Sequence, residues 1–127
     1  MVAGLPTKDA SARDVAWSYW QAEIDRDVEK VLAHYHSDAV FVPNGRQLTG
    51  HAEIRTFYDE SCRLYPTLEV EIVRESRGGN IVALEWSAAV TDRSNLRIPF
   101  VGVNLVTIEA GRFREVRAYF DTSVLLP

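Results

Sequence analysis

Cysteine is nearly absent: Cys62 stands alone among 127 residues, so no intrachain disulfide can form and no cysteine pair can hold a structural metal. Histidine is scarce too, with three in the chain. His34 and His36 are two apart in a segment read as helix, hence on different faces, and they cannot chelate one ion together. No glycine-rich phosphate loop, dinucleotide-binding pattern or His-Glu-x-x-His is present, so neither a cofactor nor a metal is expected. Apolar runs stay far short of the roughly 20 residues that a spanning helix needs. Residues 1–9 lack the charged start and apolar run of a signal peptide, and the default expectation is a cytoplasmic protein. Net charge is -4, and the 14 basic residues, mostly arginine, are scattered, so neither nucleic acid nor a membrane surface is an expected partner.

What is present is the balance of a folded protein, 46% hydrophobic and 25% charged residues, and the length suits one domain spanning 1–127. Between Asp14 and Ile24, apolar residues recur at Val15, Ala16, Tyr19, Trp20 and Ile24, the spacing of a helix with one buried face. Asp27 is placed to cap a second helix, whose apolar stripe reads Val28, Val31, Leu32 and Tyr35. A short strand over 38–42 ends at the Pro43-Asn44-Gly45 turn. A third helix begins near Gly50, with Glu53 as its capping partner and Ile54, Phe57, Tyr58 and Cys62 on its apolar face, and stops before Pro66. From Leu68 the period changes to two, and strands over 68–73, 81–91, 96–109 and 113–122 follow, with turns at Arg77-Gly78-Gly79-Asn80 and Ala110-Gly111. Helices followed by long antiparallel strands predict an α+β fold.

The strand over 96–109 is apolar on both faces. One face carries Phe100, Gly102, Val106 and Ile108 around Asn104, and the other carries Val101, Val103 and Leu105. A strand with one wet face should alternate polar and apolar residues. The helices cover one side, so a homodimer through the outer sheet face is expected.

Polar groups on apolar faces mark the candidate site. Tyr19, Tyr35 and Tyr58 each lie on the buried stripe of a predicted helix, and Asn104 sits among apolar neighbours in mid-strand. A buried hydroxyl or amide without a partner costs a few kcal/mol, so four of them must satisfy one another or face a ligand. The lone Cys62, on an apolar face, reads as an inert core thiol, and His51, opening a helix, reads as solvated.

These residues resemble the bacterial ketosteroid isomerases, in the SnoaL-like, nuclear-transport-factor-2-like superfamily. The resemblance runs from Tyr19 to Phe120, and it implies a cone-like curved antiparallel sheet packed on three N-terminal helices and enclosing one apolar pocket. Tyr19 and Tyr35 keep the interval of two active-site tyrosines, and Ser37-Asp38-Ala39 stands where the isomerases carry Asp-Asp-Ala. Gly50, Ile54 and Phe57-Tyr58 match a segment whose tyrosine is third in the same network. Counting back from Gly111, Asn104 takes the place of the oxyanion-hole aspartic acid, and Arg117-Ala118-Tyr119-Phe120 matches a segment whose last aromatic lines the steroid pocket.

One departure matters most. The family's general base is an aspartate directly before the proline that follows the first strand, and here that position is Val42. Asp121 is the best remaining carboxylate, at a place where related polyketide cyclases carry one. Strand alternation turns it away if Phe120 faces the pocket. The resemblance therefore implies a cofactor-independent isomerase, lyase or cyclase acting on a small hydrophobic carbonyl compound, with Tyr19 and Asn104 stabilising an enolate. Tyr35 and Tyr58 would support Tyr19, and Val42, Trp86, Val106 and Phe120 would shape the pocket. The alternatives are a binding protein that holds such a ligand without turnover and an interaction module that uses the outer sheet face.

Overall fold

The computed structural model describes residues 4–124, an α+β arrangement of three helices and a curved, six-stranded, unclosed sheet. Helix α1 (Ala12–Ile24) starts where the Ser11 hydroxyl accepts a hydrogen bond from the Asp14 N–H at 3.1 Å. Its stripe of Ala12, Val15, Ala16, Tyr19, Trp20 and Ala22 is buried. Arg26, at φ 56, reverses the chain, and Asp27 caps α2 (Val28–Leu32) by accepting from the Lys30 N–H.

Here the structure corrects the sequence reading. Helix α2 is one short turn, and Tyr35 opens strand β1 (Tyr35–Pro43) instead of closing the helix. The apolar spacing fits a helix, but a backbone hydrogen bond from the Phe113 N–H to the His34 carbonyl, 2.7 Å, draws the chain into the sheet first. Strand β2 (Leu48–Thr49) is a two-residue pairing with β1 that precedes α3 (Gly50–Leu64). The N-cap is Thr49, and its N–H donates to the Glu53 carboxylate in the first turn at 2.8 Å, one residue beyond the spacing of a capping box.

Four long strands follow: β3 (Thr67–Gly78), β4 (Ile81–Thr91), β5 (Arg97–Glu109) and β6 (Arg112–Phe120). The order across the sheet is β2-β1-β6-β5-β4-β3. Every pairing is antiparallel except β1 with β6, which is parallel because the last strand returns beside the first. That one pair departs from the expected all-antiparallel sheet. Irregularities in β1, after Ile72 and after Thr107 add local twist, and Val73, the extra residue of β3, is left exposed. Ala110 and Gly111 both take positive φ, 52° and 75°, as a two-residue turn between right-twisted strands requires.

Register sorts the inner face into cross-strand rows. Trp86, Gly102 and Phe120 form one, Leu84, Asn104 and Ala118 the next, and Val82, Val106 and Val116 a third. The third row is closed core, each member at most 2% exposed. Trp86 and Phe120 of the first row and Asn104 and Ala118 of the second line a cavity that α1 and α3 roof over. No helix among the described residues is long and apolar enough to cross a membrane.

Candidate functional site

The cavity has a volume of about 660 Å³, within the usual range for a small-molecule site. Its walls are mainly aromatic and aliphatic: Trp20 from α1, Phe57 and Leu64 from α3, Phe41 from β1, and Val70, Val90 and Ala118 from the sheet. At one side Trp86, Phe100 and Phe120 pack against one another, with ring centroids 5.3 to 6.0 Å apart. Tyr19, Asn104 and Glu23 bring polar atoms into this apolar space.

Tyr19 is the end of a chain of three phenols. Its hydroxyl lies 2.6 Å from that of Tyr58, which lies 2.7 Å from that of Tyr35. Each phenol carries one proton. When Tyr35 donates to Tyr58 and Tyr58 to Tyr19, the Tyr19 proton is left for the cavity side, where the Glu23 carboxyl accepts it until a ligand oxygen takes its place. Burial pushes all three phenols above their ordinary range, so they stay neutral and act as donors. The Glu23 carboxyl is the next largest influence on Tyr19 and raises it further.

Asn104 is oriented from the neighbouring strand. The Trp86 indole N–H donates to its Oδ1 at 3.0 Å. An indole nitrogen can only donate, so the amide must turn its oxygen toward Trp86, which leaves the Nδ2 hydrogens for the cavity. Gly102 makes this possible: a Cβ there would overlap the Trp86 ring and the Tyr119 carbonyl oxygen.

Of the residues singled out from the sequence, Tyr19, Asn104, Trp86 and Phe120 line the cavity. Tyr58 and Tyr35 stand behind Tyr19 and do not reach it. Val106 belongs to the closed row beyond Asn104 and forms no part of the wall. Val42 is also displaced from its expected role. Phe41 and Pro43 face the cavity, so alternation along β1 buries Val42 on the other side. Asp121 is exposed, and its carboxylate accepts from the Ser123 hydroxyl and N–H, which holds it below its ordinary range. It has no place in the cavity wall.

Glu23 was missed by the sequence reading. It lies one helical turn after Tyr19, on the same face of α1, and that spacing was the available signal. Burial raises its carboxyl above the usual range, against the lowering effects of the Tyr19 hydroxyl and then Arg26. Arg26 itself reaches across to α3, where its guanidinium donates to the Tyr65 carbonyl at 2.6 and 3.0 Å.

The histidines are tied to backbone. His34 is buried between the Lys30 carbonyl and the Ser18 hydroxyl, each at 2.7 Å. His36 donates to the Glu109 carbonyl, and His51, expected in solvent, is partly buried and donates to the Tyr35 carbonyl. Cys62 is partly buried and its thiol is pushed up. Among the described residues no group of three or more His, Cys, Asp or Glu side chains could hold a metal.

Residues 17–116 match the SnoaL-like domain family. Among solved structures, TerC co-crystallised with polyporic acid aligns with a TM-score of 0.77 at 20% identity, covering 89% of this chain and 93% of TerC. A hypothetical protein of ketosteroid isomerase-like fold from Catenulispora acidiphila, in complex with trimethylamine, gives 0.80 at 14% identity, covering 91% and 92% of the two chains. A candidate SnoaL-like polyketide cyclase from Shewanella putrefaciens gives 0.76 at 15% identity, covering 89% and 91%. No curated protein matches this chain. At these identities the structural likeness establishes the fold.

Proposed function

This chain belongs to the SnoaL-like domain family, and from that premise we propose that it is a cofactor-independent isomerase, lyase or cyclase acting on a small, flat, hydrophobic carbonyl compound of steroid or polyketide type. The observation that supports this reading is the presence of two oriented donors, Tyr19 and the Asn104 amide, in the lining of one apolar cavity. A carbonyl oxygen that reached both would accept two hydrogen bonds. Those bonds strengthen as the oxygen gains negative charge in an enolate, so they favour the transition state over the bound substrate. Tyr58 and Tyr35 hold Tyr19 with its proton outward. The cytoplasm is the proposed compartment, which fractionation of the producing cells would test.

A phenol tests the donors, because its oxygen sits on a flat apolar frame as an enol's does. Tyr19→Phe should weaken a phenolate ligand by roughly tenfold to a hundredfold, the worth of a hydrogen bond to a charged acceptor. A deoxy ligand of the same shape should lose far less, because its affinity rests on buried area. Asn104→Leu should show the same selectivity. Equal losses for both ligands would reduce Tyr19 and Asn104 to packing residues.

A second reading, a ligand carrier without turnover, rests on Val42: the position that resembles the family's base carries no ionisable group and faces away from the cavity. Ligand retained unchanged after prolonged incubation with the wild type would favour it.

A further inference from the structure

Deprotonating a carbon next to a carbonyl needs a base within a few ångströms of the oxyanion donors, because the carbon and the oxygen are only two bonds apart. Two carboxyl residues line the cavity, Glu23 and Glu60. Glu60 is exposed and paired with Arg63 at 2.6 Å. Glu23 makes no ion pair among the described residues, and it is near enough to Tyr19 for each to perturb the other.

We propose that Glu23 is the proton-transferring residue of this site, in place of the base that the Val42 position does not provide. The inference rests on the enolate-stabilising reading above. Glu23 as carboxylate takes the proton from the carbon beside the carbonyl, and the electron pair of that C–H bond becomes the C=C bond of the enolate. The charge moves to oxygen, where Tyr19 and Asn104 donate to it. Return of the proton from the Glu23 carboxylic acid to another carbon re-forms the carbonyl and completes an isomerisation with no net gain or loss of atoms. Departure of a β-hydroxyl as water, using the same proton, gives an elimination.

The surroundings suit the task. Tyr19 on α1, Arg26 in the turn after it, Tyr58 and Cys62 on α3 and Tyr35 on β1 are the charged or titratable groups that act on or sense Glu23. The phenols are neutral, so Arg26 is the one counter-charge, and its guanidinium is engaged by the Tyr65 carbonyl. Burial therefore dominates and moves the carboxyl toward neutral pH, where a base is most effective.

The probe is β-tetralone, a flat enolisable ketone, followed by proton NMR as its α-hydrogens exchange in heavy water. β-Naphthol, which has the shape of its enol, reports binding separately. Wild type should accelerate exchange, with a rate that rises with pH along one titration curve. Glu23→Gln should lower the exchange by about a hundredfold or more and flatten that curve, while β-naphthol affinity stays largely unchanged. Glu23→Asp should recover part of the rate. Normal exchange in Glu23→Gln alongside slow exchange in Tyr19→Phe would overturn the role of Glu23 and leave the oxyanion site standing. So would a wild type that binds β-naphthol without accelerating exchange, or a parallel loss of binding and exchange in Glu23→Gln. Absence of both binding and exchange in the wild type would overturn both readings.

Discussion

A half-buried carboxyl with a raised pKa leaves a mark on stability as well as on chemistry. Folded Glu23 holds its proton above the ordinary value near 4.5, whereas the unfolded chain releases it there. Between those two values the folded state binds more protons, so the contribution of this group falls as pH rises through the window. Asp38, Glu60, Glu69 and Asp121 act in the opposite sense, since each is held below its ordinary value, Asp121 by Ser123 and the others by an arginine. Only a difference between proteins isolates Glu23. Urea midpoints of wild type and Glu23→Gln, measured from pH 4 to 8, should diverge in favour of the variant as pH rises. Parallel curves would show that the folded protein does not perturb Glu23. The same residue shows where sequence reading stopped. Tyr19, Tyr58 and Asn104 announced themselves as polar groups on apolar faces; the first two are joined in the phenol chain, and Asn104 accepts from Trp86. Glu23 met the same criterion, one turn from Tyr19, but a charged residue near a helix end looks like an ordinary solvated one until a cavity is seen beside it. Val42 failed for a simpler reason: its place relative to Pro43 does not reveal which face of β1 it occupies.

At the scale of elements, period and turn chemistry located every long strand to within about two residues except β3, which the period-two pattern left short, and also found α1 and α3. Errors fell where tertiary pairing overrides local pattern, as at Tyr35, or where an element is as small as β2. The partnership of β4 and β5 is the element-level feature that the site depends on most. Trp86 crosses Gly102 to reach Asn104, and no local propensity encodes that. Gly102→Ala should force the indole aside, at a cost of about 1–3 kcal/mol in stability for overpacking. It should also release the Asn104 amide to rotate, so phenol affinity should fall more than affinity for a deoxy analogue. A variant of unchanged stability and phenol selectivity would show that Trp86 has room to move and does not orient Asn104.

At the scale of the whole molecule, the outer sheet face presents an apolar strip to its surroundings. Val101 is 66% exposed and Tyr119 46%, and Tyr119 pairs across the strands with the partly exposed Val103. Leu105 continues the strip along β5, so the exposed apolar groups adjoin one another, an arrangement that monomers rarely expose over a large area. Charged pairs flank it, Arg74 with Glu85 on one side and Arg117 with Glu115 on the other. This is the pattern of an apolar interface centre with a polar rim. A stable interface needs roughly 800 Å² from each partner, so it would take in the flanking charges along with the strip. A second copy meets that need by two-fold symmetry, because the same strip and the same alternating charges can face themselves. We therefore expect a homodimer: sedimentation velocity at micromolar concentration should give twice the chain mass, and Val101→Glu should shift it to the monomer. The cavity opens on the opposite face of the sheet, so that variant should keep its affinity for β-naphthol. A wild type that remains a soluble monomer at high concentration would refute the dimer, and a Val101→Glu protein that stays dimeric would place the interface elsewhere.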